Sequence, residues 1–215
     1  MKRVFGSMAV AMALLALPGI GSACGNGAVQ FSDNFKTPDP GWGHSTSSVK
    51  VGSVKIGGGQ VQITPAVNSA DYVYNQPLLY TQADACVSVA IGDLTKPGEM
   101  SGGLVFWIQD NTHYYVFTYR ANGTWFVNRF IANRWIPVAN GKSDVIKTGA
   151  NAVNEVEVRI NGNAAEGWIN GTKVVSFHGQ PPDGGGALGL YAESENDRVN
   201  TWTFHDFKVL KLPSP

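Results

Sequence analysis

Positive charge is neither abundant nor gathered in this chain. Its 215 residues hold 16 Lys and Arg against 16 Asp and Glu, and charged residues make up only 15% of the whole. Phosphate backbones and anionic membranes are held by clustered Lys and Arg, and no such stripe exists here, so nucleic acid is not an expected partner. Cysteine is nearly absent: Cys24 and Cys86 are the only two. No paired C-x-x-C, G-x-x-x-x-G-K or G-x-S-x-G occurs, and no G-x-G-x-x-G follows a strand pattern. Zinc sites, phosphate cradles and acyl-transfer elbows therefore have no support. Beyond residue 23 there is no long apolar run and no sustained 3.6-residue periodicity, which excludes a transmembrane segment from the mature chain and a helical fold with it.

What is present begins with a leader. Residues 1–23 run from Lys2 and Arg3 through "VFGSMAVAMALLALPGI" to "GSA", the basic, apolar and small-residue parts of a secretory signal peptide. Cleavage after Ala23 is expected, with export to a periplasmic or extracellular space. Removing Lys2 and Arg3 leaves 14 basic residues against 16 acidic ones, a nearly neutral mature chain. In an oxidising compartment Cys24 and Cys86 are expected to form a disulfide, contributing about 2–4 kcal/mol. The competing reading makes Cys24 a lipid-carrying first residue, although Gly21 stands where a lipoprotein signal usually has Leu, and Cys86 would then be unpaired.

The 26 glycines and the 11% aromatic content suit strands and tight turns. "GQVQITP" alternates Val61 and Ile63 with Gln60 and Gln62, as a half-buried strand does. "ACVSVAIGDL" is small or apolar on both faces, so it is expected inside a sheet. Residues 102–138 read as a meander of four strands broken at "QDNT", "ANGT" and "IANR". In "NEVEVRINGNAAEGWINGTKVV", Val156, Val158 and Ile160 alternate with Glu155, Glu157 and Arg159, and the Asn161-Gly162 and Asn170-Gly171 pairs predict type I′ turns. Glu155 and Glu157 are expected to face outward on the hairpin, as surface residues. Many short strands with regular turns imply two packed antiparallel sheets, and a β-sandwich of jelly-roll type is the expected all-β fold. It forms a single domain over 24–215, with a core at about 28–212, expected as a monomer.

The two ends resemble each other. "VQFSDNF" near the start and "WTFHDFKV" near the end each set phenylalanines around an aspartate. Phe204 and Phe207 are three apart, so a bulge near His205 and Asp206 is needed to turn both inward. The terminal segments are expected to lie side by side.

The ordered set "FSDNF…PGWG", "GLVFWIQDNTHYYVFTYRANGTW", "VEVRINGN…WINGTKV", "GGGALGLYAES" and "TFHDFKV" resembles the concanavalin A-like lectin/glucanase superfamily, near its laminin G-like and 3-keto-disaccharide hydrolase domains. The likeness spans about 28–212 and rests on turn glycines and core aromatics. It implies a surface that meets an oligo- or polysaccharide. Glucanases of this superfamily carry their carboxylates as E-x-D-x-E or E-x-D-x-x-E along one strand, and neither pattern occurs. Glu193, Glu195 and Asp197 in "ESENDR" have that spacing in another order, among loop-forming residues. They are expected as possible loop carboxylates, with no catalytic residue assigned. No cofactor is expected, and a structural calcium on those loop oxygens is the exception considered. The four histidines, His44, His113, His178 and His205, are scattered with no metal-ligand spacing.

Sugar rings stack on exposed Trp and Tyr, so the aromatics are the candidates for contact. Trp107, Tyr115, Tyr119, Arg129 and Trp135 are expected to form a ligand-binding groove on a concave face. A non-catalytic, glycan-binding jelly roll is the first functional reading. A glycoside hydrolase of the 3-keto-disaccharide type is the second, and a structural or protein-binding envelope domain the third.

Overall fold

The computed structural model describes residues 24–46, 52–91, 100–149 and 151–212. The expected leader, residues 1–23, lies outside them. Fifteen strands form two antiparallel sheets, and no helix occurs among the described residues. The fold class is the expected open β-sandwich of jelly-roll type.

Sheet A runs in the order β13 (Thr172–His178), β12 (Ala164–Ile169), β11 (Val153–Asn161), β6 (Gln82–Ile91), β15 (Trp202–Leu210), β4 (Gln60–Thr64), β3 (Ser53–Gly57). β1 (Val29–Asp33) also pairs with β15. Sheet B runs β10 (Arg134–Lys142), β9 (Thr124–Ile131), β8 (His113–Arg120), β7 (Ser101–Asp110), β14 (Ala187–Glu193), β5 (Ala70–Asn75), β2 (Trp42–Thr46).

The likeness between the chain ends has a structural cause. Phe31 lies opposite Val209 and Asp33 opposite Phe207, and Ala28 accepts a bond from the Lys211 N–H at 2.8 Å. The register of β15 against β6 shifts between His205 and Lys208, and Asp206 takes φ 54°. That bulge lets Phe204 and Phe207 both enter the core. It also divides the strand's outer partners: residues 202–204 pair with β4, and residues 207–210 with β1. β6 lies inside sheet A, as its two apolar faces require, with Ala83, Ala85, Val87 and Val89 in the core.

Turn chemistry follows the sequence with one correction. At Asn170-Gly171 both residues have positive φ, 50° and 76°, the expected type I′ pattern. In the preceding hairpin Asn161 pairs with Ala164, so Gly162 and Asn163 are the central residues, and of those two only Gly162 has positive φ. That is a type II′ turn, which needs glycine at its first central position.

The main core lies between the sheets. A second apolar layer covers the outer face of sheet B: Tyr72, Val105, Tyr114, Val116, Phe130 and Tyr191, with Tyr74 packed against it. β7, β8 and β14 are consequently buried on both sides. Antiparallel sheets usually leave one face to water. This one covers part of its outer face with its own tyrosines.

Candidate functional site

A cleft of about 590 Å³ opens on the outer face of sheet B, lined among others by Arg120, Phe130, Trp135, Tyr191, Glu193 and Asp197. Strand alternation builds its floor. In β8, Tyr115, Phe117 and Tyr119 enter the sandwich, so Tyr114, Val116 and Arg120 point the other way. β9 alternates likewise, placing Trp125 and Val127 inside and Phe130 outside.

Trp135, on the edge strand β10, leans back over this floor. Its ring lies 4.8 Å from that of Phe130, 5.9 Å from Tyr114 and 6.1 Å from Tyr191. β10 and β14 stand four strand positions apart, about 19 Å along a flat sheet. Rings that distant in the sheet meet only if it curls and long side chains lean together, which makes this face concave. Trp135 is still 40% exposed. One part of the indole is fixed by three aromatic neighbours, and the rest is open to solvent.

Polar groups close the other side. Glu193 accepts from the Ser101 hydroxyl on one carboxylate oxygen, at 2.6 Å, and from the Tyr191 hydroxyl on the other, at 2.7 Å. Burial, and then the Glu193 charge, push the Tyr191 hydroxyl well above its ordinary pKa. It therefore stays a donor, and Glu193 is held rigidly. Glu195 is tied by Arg198, whose Nε and Nη2 donate to its two oxygens at 2.7 and 2.8 Å. The turn carrying these acids is anchored to the 66–69 segment. Asn68 N–H donates to Glu195 O at 2.7 Å, Ser194 N–H to Ser69 O at 3.0 Å, and the Ser194 hydroxyl to Ala66 O.

Arg120 lies directly across from Ser101, its guanidinium 4.3 Å from the Phe126 ring. Its Nε is buried without an acceptor. Asp197 is exposed at the rim. A row of cation, hydroxyl and carboxylate thus crosses β8, β7 and β14 beside an aromatic platform.

The expected groove is divided by the sheet. Trp135 lies in the cleft with Glu193, Glu195 and Asp197. Tyr115 and Tyr119 are 4% and 1% exposed between the sheets, where the Tyr119 hydroxyl donates to Val89 O at 3.1 Å. Trp107 is 1% exposed: a shift of register after Phe106, with Trp107 at φ 50°, turns both aromatics inward. Arg129 packs over Tyr115 at 5.4 Å and donates to Gln180 at 2.6 Å, outside the cleft. Arg120, Tyr114, Phe130 and Tyr191 were not among the expected residues. For Tyr114 and Arg120 the signal was the second face of "HYYVFTYR", which period two alone does not assign to core or cleft; Phe130 and Tyr191 lie on other strands, β9 and β14.

On sheet A, Cys24 and Cys86 form the expected disulfide, with Cα atoms 5.8 Å apart. That bond takes the sulfur a lipid would need, so lipidation at Cys24 is not compatible with it. Glu157 does point away from the core, yet it is 1% exposed, bound to Arg159, and the segment after Cys24 closes over its neighbours Asp84 and Arg159. The described residues contain no group of three or more His, Cys, Asp or Glu placed to hold a metal, and no helix among them is long and apolar enough to cross a membrane.

No protein-family model and no curated protein matches the chain. Solved structures do. The carbohydrate binding module CBM66 from Bacillus subtilis superposes with a TM-score of 0.62 at 15% identity, over 80% of this chain and 96% of the module. The Bacillus licheniformis beta-glucanase gives 0.60 at 11% identity, over 88% and 100%. The VIP36 exoplasmic/lumenal domain, in a Ca2+/Man-bound form, gives 0.60 at 12%, over 87% and 90%. The fold is the concanavalin A-like jelly roll. At these identities the likeness is one of fold, and function must be argued from the site.

Proposed function

We propose that this chain is an exported, non-catalytic glycan-binding module whose ligand lies in the cleft beside Trp135. The observation that carries the reading is Trp135 itself: an indole held by Phe130, Tyr114 and Tyr191 and yet 40% exposed, facing a polar row. A sugar ring offers an apolar face to such a platform and hydroxyls to its polar neighbours. The volume falls within the ~300–1,000 Å³ of small-ligand sites. The disulfide and the leader-like residues 1–23 support export.

The charge of the site favours a neutral sugar. Glu195 is balanced by Arg198, which leaves Glu193 and Asp197 against Arg120. A ligand carboxylate on Arg120 would sit near two like charges, whereas a hydroxyl can accept from Arg120 and donate to a carboxylate. The same cleft carries the enzymatic alternative, a glycoside hydrolase using Glu193 and Asp197.

The test is an array of neutral, amino and uronic oligosaccharides probed with the disulfide-intact protein, with sugar release assayed on every hit. Saturable binding without release, weakened about 30-fold by Trp135→Ala, supports the module. Release abolished by Glu193→Gln supports the hydrolase. Absence of binding to every glycan leaves a structural or protein-binding domain.

A further inference from the structure

A second buried polar cluster lies far from the cleft, on the outer face of sheet A. Asp84 of β6 and Glu157 of β11 are 0% and 1% exposed. Arg159 lies across from Asp84, and Glu157 across from Cys86, so the two acids are diagonal neighbours on one face. Arg159 is the cation they share: its Nε donates to Glu157 Oε1 at 2.6 Å and stands 3.4 Å from Asp84 Oδ2. The guanidinium is itself stacked 4.1 Å from the Trp168 ring. Glu157 Oε2 is buried with no N–H or O–H donor.

Charge counting makes the consequence plain. Two buried carboxylates served by one guanidinium leave one uncompensated negative charge, which is costly out of water. A proton held between the carboxyls removes that charge and supplies the missing donor. The other charged groups on this face supply no second cation to the pair: Glu155 of β11, across from Ser88, is another acid, Glu166 of β12 is paired with Lys173 of β13 at 3.0 Å, and Lys208 of β15, across from Cys86, forms no ion pair with Asp84 or Glu157 among the described residues.

The lid on this cluster is the N-terminal arm. Gly25 lies against the Asp84 carboxyl so closely that a side chain there would collide with it. Its neighbour Cys24 is bound to Cys86, directly across from Glu157. We propose that Asp84 and Glu157 share one proton in the folded protein and act as a clasp that holds residues 25–27 down on sheet A in acid and lets them loosen in alkali, while Cys24 stays bonded to Cys86. With the proton present, Asp84 hydrogen-bonds Glu157 beneath Gly25. When the proton leaves, two like charges face each other under the arm, and opening the arm to water is what relieves them. The direction agrees with the burial-driven rise of both carboxyls, Glu157 to about 8.

The experiment follows amide hydrogen exchange of the arm in the full, disulfide-intact chain, corrected for the base-catalysed intrinsic rate, across pH 6–9. In the wild type the arm's protection should fall about tenfold between pH 7 and pH 9, while that of β7 and β8 stays level. Glu157→Gln, neutral at every pH, should remove the fall. Infrared difference spectra of the wild type provide the second readout, independent of whether the variant folds: a protonated-carboxyl band at pH 7 that disappears on titration through pH 8. Equal pH profiles in wild type and variant, or no such band at pH 7, would overturn the clasp.

Discussion

The outer faces of the two sheets solve the same problem in opposite ways. Each has polar groups beside aromatic rings at its centre. On sheet A the charged cluster is sealed by the chain itself, through the 24–27 arm and the Cys24–Cys86 bond. On sheet B, Trp135 and the Arg120–Ser101–Glu193 row are walled at the sides and open above. The jelly roll dictates neither outcome. What distinguishes a structural cluster from a candidate site here is whether a segment of the same chain covers it, since both faces contain acids, an arginine and a tryptophan.

The largest expected effect tests whether the aromatics on the two sides of sheet B differ as described. Trp107→Ala, inside the sandwich, should cost about 3–5 kcal/mol in denaturant unfolding. Trp135→Ala, at the cleft, should cost about 1 kcal/mol or less. Comparable losses would erase the distinction between core and platform. Next in size is the seal on sheet A. Replacing Cys24 and Cys86 together by Ser should lower stability by about 2–4 kcal/mol. Cleft binding measured under folding conditions should not change. A parallel loss of affinity would show the two faces to be coupled.

The pH dependence of stability sharpens the comparison further. Burial, and then the neighbouring Asp84 charge, raise Glu157 to about 8, above the 4.5 of an ordinary glutamate. A carboxyl raised on folding binds its proton more tightly in the folded state. Its contribution is therefore most favourable below about pH 4.5 and declines as pH rises toward about 8, above which it is level. Glu157→Gln should flatten that decline in chemical denaturation followed across the range. A slope that survives the substitution would place its origin elsewhere. The smallest effect belongs to the open face: Glu193→Gln keeps an acceptor for one of the two hydroxyls and should cost about 1 kcal/mol. A loss several times larger would mean that this carboxylate supports the fold more than the cleft.

The legible parts of the structure were those that local spacing controls. Phe204 and Phe207, three apart in a strand, called for a bulge, and the register shift between His205 and Lys208 supplies it. The small, two-sided apolar pattern of residues 85–91 placed β6 inside its sheet. What was not legible depends on segments distant in the chain. Alternation sorted "HYYVFTYR" into two sets, but both contain tyrosine, so nothing local said which set met the other sheet; Tyr115 and Tyr119 went inside, Arg120 lined the cleft, and Tyr114 packed against Trp135 on the outer face. Glu157, expected as a surface residue, is turned away from the core but buried. Its neighbours Asp84 and Arg159 lie under Gly25, 132 positions before it, which no periodicity in β11 records.

The divided strand β15 bears on how the molecule can be made. It is the last of the described strands, yet it stands in the interior of sheet A, against β6 on one side and β4 and β1 on the other. Until residues 202–210 have left the ribosome, sheet A is two fragments separated by a gap, and its N-terminal strand has no partner. Premature folding is thereby discouraged and truncation severely penalised. The strand that completes sheet A is thus the last of its described strands to be synthesised.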